Sequence, residues 1–91
     1  MDHKVAIKGM KYEPAVLTVK KGDTVTWTND DGMTHTATSP FPVPAKPPYT
    51  WNTGDIEEGE SKSVTFTDVK WQGKYGCIYH RNMQGEIKIT P

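Results

Sequence analysis

Lys21-Gly22-Asp23-Thr24-Val25-Thr26-Trp27-Thr28 decides the fold class. Lys-Gly-Asp is turn chemistry, and the five residues after it alternate strictly between polar and apolar side chains. Period two is the signature of a strand with one buried face, so Val25 and Trp27 are expected to face a core and the three threonines solvent. The same alternation recurs on both sides. Upstream, Val5 and Ile7 share a face of residues 4–8, which Gly9 ends, and Leu17 and Val19 share a face of residues 15–20. Downstream, Val64 and Phe66 point inward from residues 63–67, Tyr75 and Cys77 from residues 73–77, and Ile87 and Ile89 from residues 85–90. A short strand is expected at residues 35–38. Seven or eight short strands broken by turns every ten residues or so define an all-β fold, a Greek-key β-sandwich of seven to eight strands.

Composition agrees. The 91 residues hold twelve Thr and seven Val but one Leu and four Ala, a bias toward β-branched side chains and away from helix formers. At this length the chain is expected to be one domain spanning residues 1–91. Eleven Lys+Arg against eleven Asp+Glu leave no net charge, which argues against a nucleic-acid partner. No apolar run reaches the ~18 residues of a membrane-spanning helix. The lone Cys77 cannot make an intramolecular disulfide, so the fold must be held by its core, with a bound metal as a possible addition. Met1-Asp2-His3-Lys4 leads into no apolar leader segment, which reads as a cytosolic chain or as one whose leader was removed.

Between the strands, residues 39–48 hold five of the seven prolines and are expected to run as a stiff, extended loop. Residues 51–54 and the acidic stretch 55–60 read as surface connections. Asp55, Glu57, Glu58 and Glu60 could dock a partner but more simply form a solvated loop. Trp51 and Trp71 lie outside clear alternation and read either as core edge or as partner contacts.

Cys77-Ile78-Tyr79-His80-Arg81-Asn82-Met83 carries the chemistry. It sets a thiol, an imidazole and a thioether in one loop between two expected strands, and His35 heads a strand far upstream. Two imidazoles and a thiolate can make a trigonal plane with a weak axial thioether, the donor set of an electron-transfer copper site. Structural zinc normally takes four Cys or His ligands and has little use for Met. A lone buried Cys is ordinarily a small hydrophobe. Four such side chains in this order on a β pattern are not ordinary.

At these residues the chain resembles the cupredoxins, the small blue copper proteins, over nearly its whole length. Tyr12-x-Pro14 and Val19-x-x-Gly22-Asp23-Thr24-Val25-x-Trp27-x-Asn29 are similar to the early strands of that family. Met33-x-His35, Gly59-Glu60-Ser61 through Val64-x-Phe66, and Tyr75-x-Cys77-x-x-His80-x-x-Met83 are similar to the rest. The short ligand loop looks most like that of the amicyanins; plastocyanins and pseudoazurins have two more residues between the second His and the Met. The resemblance implies one type 1 copper ligated by His35, Cys77, His80 and Met83, with the ring edge of His80 as the electron gateway. It also implies a monomeric, exported or periplasmic electron carrier, not an enzyme, serving a donor and an acceptor redox protein, with no small-molecule substrate. Thr36 stands where amicyanins carry an Asn that ties the ligand loops together, which puts that brace in doubt. Arg81 stands where they carry Pro, and a cation there would favour Cu(I) and steer an acidic partner. The rival readings are a copper carrier or chaperone, a metal-free immunoglobulin-like binding module, and a fragment of a copper oxidase.

Overall fold

The computed structural model describes residues 2–39 and 50–91, so most of the proline-rich stretch lies outside the described residues. Nine strands are found among those described: β1 Asp2–Lys8, β2 Lys11–Glu13, β3 Val16–Lys20, β4 Thr24–Asn29, β5 Thr38–Ser39, β6 Trp51–Asn52, β7 Ser61–Thr65, β8 Gly73–Cys77 and β9 His80–Thr90. A single 3₁₀ turn covers Val69–Trp71. The strands form two mixed sheets, ordered β2-β1-β4-β7 and β3-β9-β8-β5-β6. β1 runs parallel to β4, and β3 parallel to β9. The fold is therefore the expected all-β sandwich, with more strands than the alternation alone counts.

Where apolar residues alternate, the strands fall as expected. Val5, Ile7, Val25 and Trp27 line the inner face of the first sheet, and Val19, Tyr75, Ile87 and Ile89 that of the second, all buried. At roughly 1.5–3 kcal/mol for each large side chain buried, these two facing rows are the main stabilisation of the sandwich. On the outer face of β4 the three threonines are half-buried, not bare. Thr24, Thr26 and Thr28 share hydroxyl hydrogen bonds with Thr65, Ser63 and Ser61 of β7 at 2.7–2.8 Å. Cross-strand hydroxyl pairs of this kind fix register.

Other elements depart from the sequence reading. β2 has no alternation long enough to announce it. It follows a two-residue turn in which Gly9 and Met10 both have φ near 61°, the mirror-image hairpin turn that matches strand twist. Residues 35–38 do not make a continuous strand: His35 forms an isolated bridge to Ile56, and only Thr38–Ser39 pair as β5. Phe66 lies one residue beyond β7, yet it is fully buried.

The largest correction concerns residues 51–60. Trp51 is a core residue, with its ring stacked on Trp27 at 5.2 Å and edge-on to Phe66 at 5.1 Å. Ile56 is buried as deeply as any residue in the chain. A single aromatic and a single aliphatic among polar neighbours carry no period, so local sequence cannot reveal that non-local pairing turns them inward. Trp71 is half-buried against Phe66.

Candidate metal centre

The site lies at the end of the sandwich where β8 gives way to β9. The sequence reading put residues 77–83 in one loop. In the structure the loop is only Ile78 and Tyr79, because β9 already begins at His80, and Cys77 pairs with His80. A register shift between Gly76 and Cys77 makes this possible, since a bulge re-aims the side chains that follow it. Tyr75, Gly76 and Cys77 are then all buried. Opposite Tyr75 stands Gly85, where a Cβ would come within 2.6 Å of the Tyr75 ring. That glycine lets the ring lie across β9.

His35 reaches the same place from the loop after β4. Its backbone exchanges two hydrogen bonds with Ile56, 3.1 Å from the His35 amide and 2.7 Å to its carbonyl. Asn29, fully buried, organises the loop. Its amide nitrogen donates to the carbonyls of Met33 and Ile56, and its Oδ1 accepts from the Asp31 amide. The Cys77 Sγ lies 3.7 Å from His35 Nδ1 and 3.5 Å from His80 Nδ1. One donor atom from each of His35, Cys77 and His80 falls within 4.8 Å of the other two. For a first-row ion held by imidazole and thiolate, bonds of about 2.0–2.3 Å meeting at about 120° separate N from S by about 3.7 Å. The chain's own spacing therefore fits one shared ion. Met83, three residues along β9 from His80, is buried at 2 % exposure. His35 and Cys77 are fully buried, whereas His80 keeps part of its surface in solvent.

Groups around the donors orient them. Asp31 Oδ2 is 3.0 Å from His35 Nε2. An ionised carboxylate only accepts, so Nε2 carries the proton and Nδ1 turns a lone pair toward Cys77. The same carboxylate accepts from the amides of Met10 and Gly9, and these bonds lower its pKa from the ordinary value. Thr36 does make the brace that the sequence left in doubt: its Oγ1 accepts from the Ile78 amide at 3.2 Å and shares a hydrogen bond with the Thr38 hydroxyl. The Tyr12 hydroxyl donates to the Thr36 carbonyl. Burial pushes the phenols of Tyr12 and Tyr75 well above the ordinary tyrosine value, so both stay neutral, and the Tyr75 oxygen accepts from Trp27 Nε1 at 3.2 Å.

The four acidic residues of the stretch 55–60 are exposed, as a solvated loop requires, and two of them also bond neighbouring side chains. Asp55 accepts from the Tyr79 hydroxyl at 2.7 Å and raises the phenol's pKa by holding its proton. Glu57 accepts from Thr34 Oγ1 at 2.8 Å. Sequence reasoning did not give Asp31, Asn29 and Asp55 these roles: Asn29 entered only as the end of a strand motif, Asp55 only as part of the acidic stretch, and Asp31 in no motif. A carboxylate near a ligating imidazole was the one available signal. The side chain of Arg81, read as a cation beside His80, lies outside the described residues.

A β-sandwich that closes two imidazoles and one thiolate around a single point has the donor set of a type 1 copper protein. The sequence pattern of the copper binding proteins of the plastocyanin/azurin family matches residues 1–90, and the chain belongs to that family. Amicyanin from Paracoccus denitrificans is 33% identical over 85 residues, covering 93% of this chain. The chain spans 63% of the length of that relative. Among solved structures, an oxidized proline-to-glycine mutant of amicyanin aligns with a TM-score of 0.81 at 32% identity, over 97% of this chain and 81% of the other. A reduced Cu(I) form of another amicyanin mutant aligns with a TM-score of 0.79 at 32% identity, over 97% and 81%. The cofactor of the chain is one copper ion in a type 1 site.

Proposed function

We propose that His35, Cys77, His80 and Met83 hold this copper and that residues 1–91 act as a single-domain carrier of single electrons between larger redox proteins. The observation that carries the proposal is the convergence of three donor atoms, from segments 42 residues apart, within 4.8 Å. When bound, copper supplies the one-electron Cu(II)/Cu(I) couple. The protein's own contribution is geometric. Asp31 fixes the tautomer of His35, Thr36 ties the first ligand segment to the turn after Cys77, and full burial keeps the thiolate away from water and from disulfide exchange. His80, the partly exposed imidazole, is the side chain through which electrons enter and leave. No substrate is converted, and both partners are redox proteins. As in the cupredoxins it resembles, the protein works outside the cytosol, in the periplasm or after export.

The rival is a copper carrier that delivers the ion. A carrier must open its ligand set to a receiving protein, and full burial of Cys77 and His35 opposes that. Repeated voltammetric cycles on the copper-loaded protein decide between them. A shuttle retains its copper through many reversible cycles in the presence of a Cu(I) chelator, whereas a carrier loses it within the first few.

A further inference from the structure

Only Ile78 and Tyr79 separate Cys77 from His80, and each is about half exposed, at 51% and 52%. Packing therefore does little to hold this turn, although it sets the spacing between two of the three convergent donors. Beyond the backbone pairing of Cys77 with His80 that closes it, two hydrogen bonds to side chains anchor it. The Ile78 amide reaches Thr36, next to His35, and the Tyr79 hydroxyl reaches Asp55 Oδ1 at 2.7 Å. Asp55 immediately precedes Ile56, whose amide and carbonyl both bond the His35 backbone.

We infer that Tyr79 and Asp55 form a clasp that positions the two imidazoles relative to each other. The contacts close a ring. From Tyr79 it passes to Asp55, along one peptide to Ile56, across paired backbone bonds to His35, over 3.7 Å to Cys77 and back through Ile78. The loop that registers His35 is thereby the loop that registers the turn leading into His80, whose ring centroid is 4.9 Å from that of His35. The clasp needs a phenolic proton on one side and an acceptor oxygen on the other. Charge is not required. Tyr79 and Asp55 are positioning residues: neither is a ligand, and both act through the turn.

The inference rests on the copper reading above, and the test separates the two. Tyr79→Phe removes the proton donor and keeps the ring. Asp55→Ala removes the acceptor, and Asp55→Asn keeps an acceptor oxygen without the charge. In metal-free protein, amide hydrogen exchange at Ile78, Tyr79, Ile56 and His35 should accelerate roughly 3- to 10-fold in Tyr79→Phe and Asp55→Ala, the size of one net hydrogen bond. Asp55→Asn should stay within about twofold of the parent, and exchange at Val5 and Trp27 should not change. In copper-loaded protein, removal of Cu(I) by a chelator should speed up in the same two variants by a similar factor. Unchanged exchange in Tyr79→Phe overturns the clasp. So does an Asp55→Asn variant as fast as Asp55→Ala, which would assign the effect to charge, or a uniform acceleration of all amides, which would reduce the pair to general stability. A parent that binds no copper would remove the copper reading, while the exchange data would still decide the clasp.

Discussion

Asp31 holds His35 by the nitrogen that faces away from Cys77: Oδ2 lies 3.0 Å from Nε2, while Nδ1 lies 3.7 Å from the Cys77 sulfur. One carboxylate thus selects the tautomer and aims the free lone pair. It also binds the amides of Gly9 and Met10, so the hairpin turn between β1 and β2 is tied to the first metal donor.

Removing that carboxylate should be felt mainly at the metal. Asp31→Ala is expected to weaken copper binding by about 10- to 100-fold, the usual consequence of losing the outer partner of a ligating imidazole. Competition titration against a chelator of known affinity measures it. Parent-like affinity would mean that the tautomer of His35 is set elsewhere.

Met83 is buried three residues along β9 from His80 and is proposed as the weak fourth donor. Met83→Gln offers a harder oxygen, favours Cu(II) and should lower the reduction potential. Met83→Leu offers no donor and should raise it. Voltammetry on both variants reads the signs, and potentials equal to the parent's would exclude Met83 as a ligand.

Trp51 tests the core. Its ring contacts Trp27, Phe66 and Tyr75, and its indole nitrogen donates to the Trp71 carbonyl at 3.3 Å. Trp51→Ala should cost about 3–5 kcal/mol in urea unfolding of the metal-free protein. A loss below about 1 kcal/mol, the scale of a surface substitution, would favour the partner-contact alternative that the sequence left open for Trp51.

What the sequence could and could not tell follows from the range of the forces involved. Val25 and Trp27 were legible because a strand with one wet face writes its burial into every second residue. The residues that converge, His35, Cys77 and His80, were legible as candidates because Cys and His chemistry survives any uncertainty in register. Trp51 and Ile56 were not, because partners far along the chain bury them. The position of His80 on β9 was hidden for another reason: it depends on a three-residue register shift after Gly76, which pairs Cys77 with His80 and leaves the composition of the segment unchanged. Tyr79 and Asp55 are 24 residues apart, and only the folded chain makes them a pair.

Stability should have an acid limb set in part by Asp23. Its carboxylate accepts from His3 and from the Lys20 amide, each at 2.9 Å, and these bonds hold its pKa far below the ordinary value. A depressed carboxylate contributes fully above its unfolded pKa of about 3.9 and loses that contribution as pH falls toward the folded value. Asp23→Asn should therefore be less stable than the parent at neutral pH, with the gap narrowing below about pH 4. Denaturant melts across that range check it, and a gap independent of pH would show that the carboxylate's charge plays no part.

The most direct test of the copper assignment is a titration of the metal-free protein with Cu(II), followed in the visible region. One equivalent of Cu(II) should develop an intense thiolate-to-copper charge-transfer band and then saturate, and Cys77→Ser should show no such band while keeping its β circular dichroism. A parent that stays colourless, or a Cys77→Ser variant that turns blue, would contradict the assignment of the site.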